Sequence, residues 1–447
     1  MRLLNRIYYR VQKAIGTGWH FLTQRLTPAG WLVVAGALLS LALTGDLDST
    51  ITYEMFLFFT SLLIAGLAGS FFYRARFEVR RDLPRVGSVG QVFRYRVTVW
   101  NRSGKWQSGL MLLERQADPR PGFESWLEWQ LWISRGARRF SFLRGRMVSF
   151  RRAQFRQGLV PCLAPGASAD VEMECLPLRR GELRLLMVRV ARQDPLGFFR
   201  SFVNIKMEER VLILPRRYRI PDLVLPGALR HQAGGVALAS NIGRSDEFVS
   251  LREYRQGDPR RHIHWRSWAR TGRPIVKEFA DENFVRHALV LDTFEEDPLD
   301  GRLEEAISVA ASFGCSVLNQ ESLLDLLFVG DRAYCFTAGR GLAHAEQVME
   351  ILASVQRSAA QSFHAFQLMV QGHLNLVSGC ICVLLQWDEQ RQELVRKIKQ
   401  SGVPLLALVL VQKGSNAEQD RASVPEAAGD LHFLELGKIQ EMLMRIQ

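Results

Sequence analysis

Two charge-free apolar runs near the N-terminus, Leu26 to Gly45 and Met55 to Tyr73, constrain this chain more than any other feature. Each is about the length a helix needs to cross a hydrocarbon core of roughly 30 Å. The loop between them is short and acidic, with Asp46, Asp48 and Glu54, while Arg74, Arg76, Arg80 and Arg81 follow the second run. Basic residues on both outer flanks predict that the two termini are cytoplasmic. Ala65, Gly66, Gly69 and Ser70 give the second run a small face against which the first can lie. The competing reading is a pair of buried core helices. Ahead of the runs, residues 1–25 carry Arg2, Arg6, Arg10, Lys13 and Arg25 and no acid. Leu3, Leu4, Ile7, Val11 and Ile15 recur there at helical spacing, which predicts an interfacial amphipathic helix. No small-residue cleavage site marks a signal peptide.

The chain of 447 residues is long enough for two or three domains. The sequence predicts a basic segment over 1–25, a two-helix transmembrane hairpin over 26–76 and a β-sandwich over 77–220. A linker over 221–280 and an α/β domain over 281–447 follow. In the sandwich, Phe93, Tyr95, Val97 and Val99 alternate with polar residues, and Asn101-Arg102-Ser103-Gly104 signals a turn. Asp194-Pro195-Leu196-Gly197 is a second turn. A stretch of about 121–165 reads as an insertion: Trp126, Trp129 and Trp132 precede a run of arginines, a mixture suited to lipid headgroups or to single-stranded nucleic acid. After residue 281, apolar strands alternate with helical patterns, which means a mostly parallel sheet. A formal charge of +13 implies an acidic neighbour, either membrane lipid or nucleic acid. The six scattered cysteines form no C-x-x-C and fit a reducing compartment; Cys380 and Cys382 read as packing residues.

The densest chemistry lies in Ser245 to Phe279. Seven arginines fall between Arg252 and Arg273 among Phe248, Tyr254, Trp265 and Trp268, with only two acids. Arginine stacks on aromatic faces and forks onto carboxylates. Asp258-Pro259 reads as a helix start, Arg260 to Ala269 as the helix, Thr271-Gly272 as its end and Arg273 to Phe279 as a strand. The order Glu247-Phe248, Leu251-Arg252, Tyr254, Gly257-Asp258, Arg261, Ile263, Trp265, Ala269-Arg270 resembles the signature of the bacterial family called domain of unknown function 58. The resemblance implies a β-sandwich followed by a von Willebrand factor A-like domain, an inner-membrane location with cytoplasmic soluble domains, and an AAA+ ATPase of MoxR type as partner. Glu247, Arg252, Tyr254, Gly257, Asp258, Arg261, Trp265 and Arg270 are the candidate site residues, either as a brace or as a partner-binding surface. As a brace, Arg252, Asp258, Arg261, Trp265 and Arg270 should form one connected cluster, with Asp258 capping the helix and Trp265 giving an arginine a stacking face.

The A-like fold usually binds a divalent metal through Asp-x-Ser-x-Ser after its first strand. Here the sequence reads Asp292-Thr293-Phe294-Glu295-Glu296, with Phe294 and Glu296 in place of both serines. Thr337 lies just ahead of the place of the next ligand, and Asp388 falls near that of the last. Asp292 and Asp388 thus read as remnants of a degenerate site, and no metal or other cofactor is expected. No P-loop, H-E-x-x-H or G-x-S-x-G occurs. The reading is a membrane-anchored, non-enzymatic interaction or assembly protein. The alternatives are a basic nucleic-acid-binding membrane protein and a hydrolase without a recognisable motif.

Overall fold

The inward and outward alternation of β3 (Phe93–Asn101), with Tyr95, Val97 and Val99 inside and Arg94 and Arg96 outside, sets the plan of the first half of the chain. The computed structural model describes residues 6, 9–11, 13, 18, 23–43, 50–71, 73–117, 122–123, 126–127, 151–221, 248–256, 258, 260–279, 285–295, 301–319, 322–339, 342–358, 362–412 and 430–446. They fall into two units, Met1–Arg216 and Arg217–Gln447.

In the first unit, β1 (Phe77–Asp82), β3, β7 (Ser168–Pro177) and β5 (Ala153–Phe155) form one sheet in the order β1-β3-β7-β5. The other sheet runs β2 (Val86–Ser88), β9 (Arg200–Leu214), β8 (Gly181–Gln193), β4 (Leu110–Gln116), β6 (Gly158–Val160). All pairs are antiparallel except β2 with β9. Val97, Val99, Leu112, Leu183, Leu185 and Ile213 from the two sheets meet in one core, which makes this the expected β-sandwich. β5 and β6 fall inside the stretch read as an insertion, yet they belong to the sheets, and Ala153 and Val160 are buried. Trp126 is buried too, 5.3 Å from the ring of Tyr9, so the described parts of the basic segment and of the insertion meet each other. Trp129, Trp132 and Arg135 to Arg146 lie outside the described residues. One polar group interrupts the sandwich core. The buried Arg81 donates to Glu114 and to Glu209, each at 3.0 Å, and the Tyr95 hydroxyl donates to Glu114 at 3.0 Å. Burial outweighs the neighbouring Arg81 charge and raises the Glu114 carboxyl to about 7.

Ahead of the sandwich stand α1 (Pro28–Leu43) and α2 (Thr50–Phe71). The second contains a span, Ile51–Ser70, long and apolar enough to cross a membrane. The first, with 16 residues, reaches about 24 Å, short of the expected second span. Leu32, Leu38, Leu39, Leu41, Phe58 and Ile64 are each more than half exposed. Thr27 caps α1: its hydroxyl oxygen accepts from the Gly30 N–H at 3.0 Å, and Pro28 takes the first helical position. The Thr27 N–H donates to the Phe198 carbonyl at 3.0 Å and its hydroxyl donates to the Gly197 carbonyl at 2.6 Å. The Asp194–Phe199 turn is therefore a socket for the helices. Asp194 holds its shape by accepting from the Leu196 N–H at 3.2 Å and the Phe199 N–H at 2.7 Å. On the α2 side, the Ser201 hydroxyl donates to the Ser70 carbonyl at 2.8 Å.

The second unit is built on a six-stranded sheet ordered β14 (Ala333–Ala338), β13 (Leu323–Val329), β12 (Arg286–Leu291), β15 (Gly379–Leu384), β16 (Leu405–Val411), β17 (Leu431–Glu435). Only the edge strand β14 is antiparallel. Counted from β12 the order is 3-2-1-4-5-6, so the winding reverses between β12 and β15 and opens a crevice at their carboxyl ends. This is the expected von Willebrand factor A-like α/β arrangement. On one face, Gly314 of α4 (Arg302–Asn319) brings that helix close to Leu289, Leu324 and Val348, the last on α5 (Leu342–Ser354). On the other, α6 (Phe363–His373) and α7 (Glu389–Gln400) cover Ala288, Val290 and Leu327. Phe363, Phe366 and Val370 mark the buried side of α6. A short helix, α8 (Ile439–Leu443), closes the chain.

The boundary expected at residue 220 moves back slightly. The Tyr218 N–H donates to Ser312 at 2.8 Å, and the Arg219 N–H donates to Gln440 at 3.0 Å, so these residues belong with the second unit.

Candidate functional site

Two places in the second unit hold the predicted site residues. The first is the signature stretch. β10 (Phe248–Glu253) and β11 (Ile275–Phe279) pair antiparallel, and the connection between them carries a 3-10 turn, Arg260–His262, and the helix α3 (Trp265–Thr271). The His264 N–H donates to the Ile275 carbonyl at 2.8 Å and ties this connection to β11. Gly272, at φ 71°, ends the helix in the left-handed conformation that glycine tolerates, with its N–H on the Trp268 carbonyl.

The expected helix start at Asp258 is not observed. The helix begins at Trp265 because the Asp258 carboxylate is already engaged. Arg252 forks onto both of its oxygens at 2.7 and 2.8 Å, and the Arg255 N–H donates to it at 2.8 Å. The Arg252 guanidinium and the Arg255 N–H hold the Asp258 carboxyl down at about 2. Of the five residues expected in one cluster, only these two, Arg252 and Asp258, join. Arg261, Trp265 and Arg270 are exposed, and Tyr254 is half-buried. Trp265 is 65% exposed and stacks on Trp268, not on an arginine, with centroids 5.3 Å apart and an interplanar angle of 18°. With Trp265 exposed, Trp268 half-buried and no arginine stacked on the Trp265 ring, the expected brace around Trp265 is not observed. Glu247 and Gly257 lie outside the described residues.

The second place is the crevice at the strand ends, where the fold brings Asp292 and Asp388 together through a residue the motif reading missed, Arg391. Asp292 follows β12 and is fully buried. Its Oδ1 accepts from the Phe294 N–H at 2.9 Å; its Oδ2 accepts from the Leu385 N–H at 3.1 Å and from Arg391 Nε at 3.0 Å. Asp388 caps α7 by accepting from the Arg391 N–H at 2.9 Å and also pairs with the Arg391 guanidinium. Arg391 Nη2 reaches the Phe294 carbonyl at 3.2 Å, and the guanidinium lies 4.5 Å from the centroid of the Phe363 ring. Burial would lower the Arg391 pKa, but Asp292 and Asp388 together raise it above its ordinary value.

The residues present do not suit a divalent ion. The acid oxygens are spent on N–H donors, and the Thr293 hydroxyl donates to the Val329 carbonyl. Phe294 stands where a hydroxyl ligand is expected and packs on Phe363 and Phe366. Thr337 belongs elsewhere: it donates at 2.7 Å to Asp325, which is also gripped by Arg286 at 2.7 and 2.9 Å, toward the start of β12. Glu296 and Asp297 are outside the described residues, and among the described residues no cluster of three or more His, Cys, Asp or Glu is placed to hold a metal.

Residues 250–371 match the family described as "Protein of unknown function DUF58". A Bacillus subtilis (strain 168) relative, "Uncharacterized protein YeaD", is 28% identical over 195 residues, 43% of this chain and 47% of the relative. The matched part thus spans about half the length of that relative. Among solved structures, a von Willebrand factor type A protein from Catenulispora acidiphila aligns with 38% of this chain and 42% of its own, at 8% identity and a TM-score of 0.26. The ASH / PapD-like domain of human CEP192 aligns with 31% of this chain and 85% of its own, at 10% identity and a TM-score of 0.17. The signature residues from Leu251 to Arg270 lie inside the matched range, and through them this chain is similar to the DUF58 family.

Proposed function

We propose that this chain is a membrane-anchored, non-enzymatic interaction protein that presents its signature hairpin to an acidic protein partner. The observation that carries this reading is the exposed Trp265, stacked on the half-buried Trp268, with the exposed Arg266 and Arg270 on the same short helix and the exposed Arg261 in the turn before it. Tryptophan and arginine dominate binding hot spots because they combine large buried area with directional charge. Between residues 250 and 279 eight lysines and arginines face three acids, so a complementary surface is acidic. The family resemblance supplies the expected partner, an AAA+ ATPase of MoxR type. The apolar span Ile51–Ser70 supports anchoring. The basic flanks of both N-terminal runs support two spans with both termini and the soluble units on the cytoplasmic side.

The test is capture of the MoxR-type ATPase by the full chain in detergent. Wild type should retain it, and the charge reversals Arg261→Glu with Arg270→Glu should release it without lowering the melting temperature. Undiminished capture by the double variant would reject the hairpin as the docking site. The exposed Trp and Arg side chains also suit single-stranded nucleic acid. A steep salt-dependent affinity for an oligonucleotide, lost in the same variant, would favour that reading instead.

A further inference from the structure

We infer that Arg391 is the resident cation of this A-like domain: its guanidinium stands in for the divalent ion between Asp292 and Asp388, so the crevice at the strand ends is permanently filled and partner binding needs no metal. The substitution is complete in chemical terms. A magnesium ion demands near-octahedral oxygen ligands at about 2.0–2.1 Å. Asp292 instead meets a planar donor fork, with Nε at 3.0 Å and Nη2 at 3.4 Å, and its other lone pairs take the Phe294 and Leu385 N–H groups. The third acceptor around the fork is the Phe294 carbonyl, and the fourth is Asp388.

The cation and Asp292 are covered, while Asp388 at the rim stays partly exposed. The Arg391 side chain is 4% exposed, and Asp292 is not exposed at all. Phe363 lies over the guanidinium, and Phe294 packs edge-on against Phe363 at 5.3 Å. In a metal-binding arrangement an open coordination position lets an acidic ligand complete the shell. Here aromatic rings cover that approach, so an incoming carboxylate has no direct route to the cation. Arg391 is placed by sequence as much as by packing. It is the third residue of α7, whose N-cap is Asp388, so one aspartate fixes both the helix start and the guanidinium.

The experiment uses the full chain in detergent, melted in EDTA and in manganese, with bound Mn2+ followed by electron paramagnetic resonance. Wild type should show no saturable Mn2+ signal and no metal-dependent shift. Arg391→Ala leaves Asp292 and Asp388 facing each other without a cation, so Mn2+ should bind and raise its melting temperature by several degrees. The further change Asp292→Asn should abolish that binding. Mn2+ binding by wild type that Asp292→Asn removes would overturn the inference, as would an Arg391→Ala protein that folds yet binds no Mn2+. If Arg391→Ala does not fold, the double variant Arg391→Ala with Asp292→Asn decides. Recovery of folding shows that Arg391 offsets the Asp292 charge; no recovery shows that it does not.

Discussion

The docking of the N-terminal helices on the Asp194–Phe199 turn can be tested at two glycines. A Cβ built on Gly30 would stand 2.3 Å from the Phe198 carbonyl oxygen, which is backbone and cannot swing aside. Ordinary contact needs about 1 Å more. That retreat lengthens the Thr27 N–H to Phe198 bond from 3.0 Å to about 4 Å, beyond hydrogen-bond range. Overpacking costs about 1–3 kcal/mol and the lost hydrogen bond about 1 kcal/mol, so Gly30→Ala should destabilise the first unit by about 2–4 kcal/mol. Gly69 is the control on the facing helix. Its added Cβ meets only Pro195 Cδ at 3.6 Å, an ordinary contact. Gly69→Ala should therefore be neutral or gain up to about 1 kcal/mol of helix propensity. Thermal melting of the full chain in detergent should separate the two variants by about 5–15 °C. Trypsin should also cut faster at Arg25 in Gly30→Ala than in wild type. Equal melting temperatures would mean that the turn is not the socket of α1.

Two further outcomes concern stability. Glu114 binds its proton more tightly in the fold than in the unfolded chain, so the stability it contributes is present below the usual carboxylate range and lost as pH rises through about 7. Melts from pH 4.5 to 8 should show that decline in wild type and a flatter profile in Glu114→Gln; an unchanged slope in the variant would refute the assignment. Trp265 is 65% exposed, so of its area of about 250 Å2 less than about 90 Å2 is covered, and Trp265→Ala should cost no more than about 2 kcal/mol. Urea unfolding giving about 3–5 kcal/mol would restore the ring to a buried, bracing role.

Period-two alternation made β3 legible, because an antiparallel strand with one solvated face writes that pattern into the chain. The apolar runs of β12, β15 and β16 were equally plain, being covered on both sides. The short strands β5 and β6 carried too few residues for a period and fell into a basic stretch. The Asp194–Phe199 turn was readable from Asp-Pro-x-Gly, but its role was not, since the partner Thr27 is 170 residues away. Asp258-Pro259 had every local mark of a helix start. What moved the start to Trp265 was Arg252, a strand residue whose fork takes the carboxylate, and no local rule sees that contact. Asp292 follows β12, and Asp388 stands at the start of α7. Arg391 drew no notice in the sequence, because its third position on α7 shows nothing of the crevice behind it.

These findings bear on where a partner can be recognised. A-like sheets concentrate their chemistry at the carboxyl ends of the strands, where the winding order reverses. Here that crevice holds Arg391 beside the Phe363 ring, and the Asp292 oxygens are taken by Arg391 and by backbone N–H groups. Charge in the signature hairpin is arranged the opposite way. Arg252 and Asp258 spend their charges on each other to shape the connection, while Arg261, Arg266 and Arg270 keep theirs in solvent beside the Trp265 ring. Exposed charges of one sign raise encounter rates with an opposite surface and lose that effect at high salt. A desolvated tryptophan slows dissociation instead. The two contributions therefore separate in kinetics. Charge reversal at Arg261 and Arg270 should slow association with the proposed ATPase partner and flatten its salt dependence, and Trp265→Ala should speed dissociation. Surface plasmon resonance at low and high salt resolves both rates. An association rate indifferent to charge reversal would place the docking surface elsewhere on the chain.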